Sequence, residues 1–149
     1  METISHILVP LNGNPTDDEA LQLACVTAKR TKAKITVVHV IEVPRALPLD
    51  ADTPSLSEES RDMLDHAEEV AQQLGCSVQA EALQARAAGP ALVDEARAAR
   101  ADLIIIGLPN RVRFGSFHLG ATSNYVLNHA PCRVWLAREK QMAAAEESV

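Results

Sequence analysis

Glycines and hydroxyls gathered in one stretch give this chain its clearest chemistry. Gly107 follows the apolar run Ile104-Ile105-Ile106, Gly115 lies in the loop beyond it, and Gly120 opens a segment that carries Thr122 and Ser123. Glycine lets the backbone come close to a ligand, and a helix starting at such a turn aims unpaired N–H groups and the positive end of its dipole outward. That chemistry suits an anion. The net charge is -6, yet no carboxylate occurs between Asp102 and Glu139, and Arg111 and Arg113 lie inside that acid-free stretch. An ordinary strand-to-helix turn with two solubilising arginines would have the same pattern. A Walker A loop is not supported, because Ala121 stands at the lysine position after Gly115 and Gly120. Nor is a dinucleotide fingerprint: Asn12-Gly13-Asn14, not G-x-G-x-x-G, follows the first strand.

Hydrolytic chemistry has less support than binding. The loop supplies no carboxylate as general base or metal ligand, so any metal would ride mainly on a nucleotide's phosphates, and weak ATPase activity is the most this chain is expected to show. His118 is the one titratable candidate in the loop, and surface or capping histidines are commoner than catalytic ones. His39 ends an apolar strand and reads as a hydrogen-bonded core residue, while His129 is placed to cap the last helix. Ser123 lacks a Gly-x-Ser-x-Gly elbow, which favours helix capping over nucleophilic attack. No catalytic residue and no metal site is assigned.

The elements that must position these residues follow from periodicity. Ile7-Leu8-Val9-Pro10 is a short buried strand ending at the turn Asn12-Gly13-Asn14-Pro15. Thr16 and Glu19 form a capping-box pattern opening a helix that ends near Thr31. Ile35 to Ile41 is β-branched and apolar on both faces, as a strand covered by helices requires. The Pro-rich stretch from Val43 to Pro54 is an exposed loop that could lid a ligand, and Ser55 with Glu58 predicts a second capping box before a helix closed by Gly75. Val78 to Leu83 alternates like an edge strand, Gly89-Pro90 opens a third helix, and Leu103 to Ile106 is the fourth strand. A helix over about Ala121 to Asn128 and a strand over Arg133 to Ala137 complete the series, with Trp135 suited to core or interface. Strands alternating with helices specify one α/β domain: a parallel sheet with helices on both faces, binding ligands where its winding reverses. The domain is expected to span 1–140, with a frayed tail over 141–149.

Composition narrows the class. At 149 residues, 47% hydrophobic and 23% charged, the chain is an ordinary globule, and 3% aromatics leaves no platform for stacking single-stranded nucleic acid. No signal-peptide pattern and no run of membrane-spanning length is present. Cys25, Cys76 and Cys132 are odd in number and widely spaced, which predicts buried free thiols and a reducing cytoplasm rather than a disulfide framework or zinc site.

With the first-strand turn, the His39-Val40 strand end and the loop from Gly107 to Ser123 in place, the chain resembles the universal stress protein family over nearly its whole length. Val126-Leu127-Asn128-His129-Ala130-Pro131-Cys132-Arg133-Val134 is similar to that family's last helix and strand. The resemblance implies a five-stranded sheet of order 3-2-1-4-5, a cytoplasmic stress-response role, and a homodimer built through Val134, Trp135, Leu136 and Ala137. It also implies that some members bind ATP and others do not. The ATP-binding pattern places a glycine, two residues, a second glycine, nine residues, a third glycine and a hydroxyl residue. Here Gly107 and Gly120 fit, while Asn110 and Ala121 depart. The remaining implied contacts are Pro10, Leu11 and Asn12 at the first strand's end, Asn12 standing where the family's ribose-binding aspartate lies, and backbone at Val40 for the adenine edge. Losing one neutral hydroxyl contact costs ~1 kcal/mol, and Thr122 or Ser123 offers a replacement. Arg111 and Arg113 add charge-assisted contacts. The balance favours a retained adenine-nucleotide site for a sensor or regulator, weaker than in members with the intact pattern. The alternative is a stress-response adaptor that binds no nucleotide and works through protein partners. Nucleic acid and membrane are not expected partners.

Overall fold

β1 (His6–Leu11) is apolar along almost its whole length, so it must be covered on both faces, and it forms the centre of the sheet. The computed structural model describes residues 3–110, 112–113 and 116–140. Their order is β1, α1 (Thr16–Thr31), β2 (Lys34–Glu42), α2 (Pro54–Gln73), β3 (Gln79–Ala85), α3 (Ala88–Ala98), β4 (Leu103–Leu108), β5 (Val112–Arg113), β6 (Ser116–Phe117), α4 (Ala121–His129) and β7 (Arg133–Arg138). Five strands form a parallel sheet of order β3-β2-β1-β4-β7, the expected 3-2-1-4-5 arrangement. β5 and β6, which the sequence did not suggest, form a separate antiparallel ribbon within the loop between β4 and α4. The expected Arg111 contact and the frayed tail lie outside the described residues.

One face packs Ile7, Val9, Val37 and Ile105 against α1 and α2, and the other packs Leu8, Val38, Ile104 and Ile106 against α3 and α4. The winding direction reverses between β1 and β4. Their register holds only Ile7 with Leu103 and Leu8 with Ile104, whereas β1 stays paired with β2 up to Leu11 and His39. Pro10 has no N–H with which to prolong a ladder, so the strands part there and leave a crevice at their carboxyl ends.

Three expectations need correction. Neither capping box forms: α1 and α2 have no side-chain cap, Pro15 and Thr53 being their N-cap residues. β4 does not stop at Gly107 but runs on to Leu108. A Cβ on Gly107 would lie 2.1 Å from the Thr16 carbonyl oxygen and 2.6 Å from its carbon, so glycine is required for α1 to seat against β4. Thirdly, Cys25 and Cys76 form a disulfide, with Cα atoms 6.1 Å apart, because packing of α1 beside α2 brings them together across 51 residues. Cys132 is the free thiol, half-buried and pushed up in pKa by that burial.

Two outcomes follow for stability. Gly107→Ala drives a side chain into backbone and should cost about 2–3 kcal/mol in urea unfolding; unchanged stability would refute the close approach. Unfolding with reductant present should lie ~2–4 kcal/mol below unfolding of the oxidised protein, since the bridge closes a long loop in the denatured chain.

Candidate functional site

The crevice between β1 and β4 holds two adjoining clefts. The first, of about 200 Å³, has apolar walls from Val38, Val40, Leu92, Ile106 and Ala88 and a polar margin of Asn12, His39, Glu42, Thr122 and Ser123. The second, of about 170 Å³, lies before α4 and is lined by Asn12, Asn14, Leu108, Pro109 and the segment from Leu119 to Ser123. Asn12, Thr122 and Ser123 belong to both. An apolar slot thus opens into a polar end, the division of labour a small ligand with a flat apolar part and an anionic part requires.

The polar end is the first turn of α4. Gly120 has φ +87 and ψ 160, a conformation that only glycine adopts without strain, and no side chain caps the helix. The backbone N–H groups of the first turn therefore keep their unpaired character beside the second cleft. Ser123 is buried at 7% exposure, so its hydroxyl belongs to the cleft wall.

Opposite α4, the loop between β1 and α1 is a chain of short polar contacts. The Asn14 amide donates to Asn12 Oδ1 at 3.2 Å, and Asn14 Oδ1 accepts from the Thr16 amide at 3.0 Å and from the Thr16 hydroxyl. Asp17 closes the loop. Its carboxylate accepts the Asn12 amide at 3.1 and 3.0 Å and the Gly13 amide at 2.8 Å. Burial pushes its pKa up to about 6, outweighing the two amides that favour the anion, while the Asp18 charge adds to the rise and His66 opposes it. Asp17 also lines a different cleft of about 480 Å³ between α1 and α2, with Asp18, Glu59, Asp62, Met63 and His66.

The histidines divide by environment. Burial lowers the pKa of His39, against the opposing Glu59 charge, and its Nδ1 lies 2.8 Å from Ser60 Oγ, a half-buried contact that gives the ring the expected hydrogen-bonded place. His66 is raised by its hydrogen bond to Asp18 and by that carboxylate's charge. His129 Nδ1 lies 2.9 Å from the Tyr125 carbonyl at the end of α4, the anticipated capping position. Among the described residues no group of three His, Cys, Asp or Glu side chains is placed to hold a metal ion.

A family model, the universal stress protein family, matches residues 3–138. The chain belongs to the universal stress protein family. A relative from Methanocaldococcus jannaschii, itself a universal stress protein, is 25% identical over 139 residues, covering 89% of this chain and 81% of that one. Among solved structures, a universal stress protein in complex with cAMP superposes with a TM-score of 0.73 at 18% identity, covering 93% of this chain and all of that one (100%). One from Archaeoglobus fulgidus in complex with dAMP gives 0.72 at 19%, covering 91% and 98%. At these identities the two structures speak for the fold.

Against this universal stress protein scaffold, the anticipated contacts separate into two groups. Pro10, Leu11, Asn12, Val40, Gly120, Ala121, Thr122 and Ser123 all line the paired clefts. Gly107 lines neither, its missing side chain making room for Thr16. Asn110 is held at the end of β7, its amide donating to Glu139 Oε2 at 3.1 Å and its Oδ1 accepting from Arg138 Nη1 at 3.1 Å. The Arg113 side chain lies outside the described residues. The acid-free stretch therefore has a carboxylate beside it in space, from Glu139. Glu42, Leu92 and the tie from Asp17 were not anticipated, because each reaches the crevice through the packing of its element rather than through the glycine loop after β4. The loop from Val43 to Pro54 is pinned rather than lid-like: Arg86 Nη1 donates to the Pro44 and Leu47 carbonyls at 2.7 and 2.8 Å, and Gln84 Nε2 donates to the Leu49 carbonyl at 2.9 Å.

Asp17 has a stability signature. Its folded pKa lies above the ordinary carboxylate value of 3.8, so the fold binds the proton more tightly than the unfolded chain does. The ionised form is a cost present above about pH 6 and relieved as pH falls toward 4. Asp17→Asn should therefore be more stable than wild type at pH 7.5, on the order of 1–3 kcal/mol, with the gap closing by about pH 4 in paired urea titrations. A variant less stable at pH 7.5 would show that the amide bonds outweigh burial.

Proposed function

We propose that this universal stress protein binds an adenine nucleotide as a sensor or regulator of the stress response. The single observation that carries the reading is the joining of an apolar slot to an uncapped helix N-terminus through the shared residues Asn12, Thr122 and Ser123. The base would occupy the slot beside Val40 and Ile106, the ribose would meet the Asn12 amide group, and the phosphates would face the first turn of α4. The relatives solved with cAMP and dAMP support an adenine nucleotide over other anions. ATP is included, its Mg carried by the phosphates. Binding rather than turnover is the activity proposed. The carboxylate lining the slot, Glu42, is engaged by the Ala88 amide at 3.0 Å, and His39 lies 2.8 Å from Ser60 Oγ, so both are committed to structural contacts rather than poised as a general base.

The protein would act as a homodimer. β7 pairs with β4 and with no other described strand, and Val134, Trp135, Leu136 and Ala137 are all half-buried along that edge. A cytoplasmic location belongs to the same proposal; no described helix is long and apolar enough to cross a membrane. The Cys25–Cys76 bond would then have to persist in a reducing thiol pool, shielded by the burial of Cys25 at 2% exposure.

A second reading rests on Asn110 and Ala121. The first is committed to Arg138 and Glu139, and the second offers no hydroxyl, which suits an adaptor that has given up nucleotide and works through protein partners. Calorimetric titration with AMP and with Mg-ATP separates the two. The sensor reading expects saturable binding at micromolar Kd, about -8 kcal/mol, lost in a folded Gly120→Val variant, whose branched side chain cannot adopt φ +87 without strain. No heat up to millimolar nucleotide from folded protein would favour the adaptor.

A further inference from the structure

The loop that floors the nucleotide cleft is held from behind by one ionisable group. Asn12 lines both the apolar slot and the cleft before α4, and its backbone amide is held by both oxygens of Asp17, with the Gly13 amide as the second donor. Asp17 is itself 7% exposed and faces away from the nucleotide, into the cleft between α1 and α2 through which protons reach it. We propose that Asp17 is the positioning residue of the nucleotide site, and that nucleotide affinity follows its ionisation because the carboxylate holds the Asn12 and Gly13 amides more strongly than the neutral acid does. The inference rests on the nucleotide-binding reading above and adds its regulation by protons.

The chemistry is that of charge-assisted hydrogen bonds. The ionised carboxylate takes the Asn12 amide on both oxygens and the Gly13 amide on Oδ2. Protonation at Oδ1 removes one Asn12 contact and leaves Oδ2 to hold both amides as a neutral acceptor, without the charge that strengthens such bonds, so the loop's tie weakens. Gly13, with φ +87, supplies no side chain to fix the turn in its place, and the Met63 methyl lies 3.2 Å from where a Cβ would sit. The remaining ties join Asn14 to the Asn12 side chain and to the Thr16 and Asp17 amides at the start of α1; they anchor Asn14 and leave the Asn12 and Gly13 N–H groups to Asp17.

Among the charged groups facing Asp17, Asp18 on the same helix favours the proton, and His66, paired with Asp18 at 3.0 Å, opposes it, while Glu59 and Asp62 on α2 line the same cleft. Gly107 and Thr16 hold α1 against β4 without charge. Burial, with the Asp18 charge behind it, pushes the Asp17 pKa up to about 6. A carboxylate kept ionised at neutral pH at a cost in stability is what a functional constraint leaves behind.

The test uses cAMP as the probe, because its phosphodiester keeps one charge from pH 5 to 8 and any pH dependence then belongs to the protein. Affinity measured by calorimetry should fall about tenfold from pH 7.5 to pH 5. Asp17→Asn, which presents one acceptor and one donor, should bind at pH 7.5 as wild type binds at pH 5, with a flat profile between. In the ligand-free protein the Asn12 and Gly13 amide resonances should titrate near pH 6 and cease to do so in the variant. Wild-type affinity independent of pH, or a variant that keeps the wild-type profile, overturns the Asp17 inference and leaves the nucleotide reading standing. Titrating amides in a protein that binds no adenine nucleotide at any pH would instead sink the nucleotide reading, and the affinity linkage with it.

Discussion

β1 and β4 are bonded only through Ile7 with Leu103 and Leu8 with Ile104, and beyond those pairs the two central strands separate. What keeps them at a fixed distance is not a side chain but backbone packed on backbone: the Thr16 carbonyl occupies the space a Cβ on Gly107 would fill. α1 is thereby seated over β4 while its leading loop returns to the end of β1. That single approach sets the mouth of the crevice, the path of the loop from Asn12 to Thr16, and the burial of Asp17. α4, entered through Gly120, closes the opposite side.

The two faces of the sheet then carry different duties. On the α3 and α4 side, Val38, Val40, Leu92 and Ile106 form an apolar wall that reaches the crevice, so a flat apolar group there is continuous with the core. On the α1 and α2 side the same loop is held by a buried carboxylate in an acidic cleft. The glycine-rich connection after β4 is organised from β7 rather than from within: Arg138 reaches the Phe117 ring at 5.7 Å and Asn110 Oδ1 at 3.1 Å, and Glu139 takes the Asn110 amide. An edge strand proposed to form the dimer thus also holds the loop leading to α4, which gives assembly and ligand a physical connection.

Much of the architecture was legible in the chain. Runs such as Ile35 to Ile41 and Leu103 to Ile106 have no polar face and can only be central parallel strands, and apolar stripes set the four helices. The site was legible wherever it depended on local backbone, as at Gly120 and Asn12. It was illegible where a contact joins distant positions. Asp17 reaches back to two loop amides, a contact no local pattern signals, and α1 starts after Pro15 rather than at a Thr16 cap, as α2 starts after Thr53 rather than at Ser55. Gly107 looked like a ligand-binding turn, and its glycine answers to Thr16 at the start of a helix far earlier in the chain. Asn110 reads in the sequence only as a departure from a glycine pattern, while Arg138 and Glu139 decide where it sits.

The central claim is that one continuous crevice, from Val40 past Asn12 to the first turn of α4, holds an adenine nucleotide. Amide-resolved NMR during titration of the full chain with AMP tests it most directly. The account predicts that Asn12, Val40, Gly120, Thr122 and Ser123 shift together with one saturation curve, while Asp62 and Met63 in the cleft between α1 and α2 stay in place. Shifts confined to that second cleft, or none at all from folded protein at millimolar AMP, would contradict it.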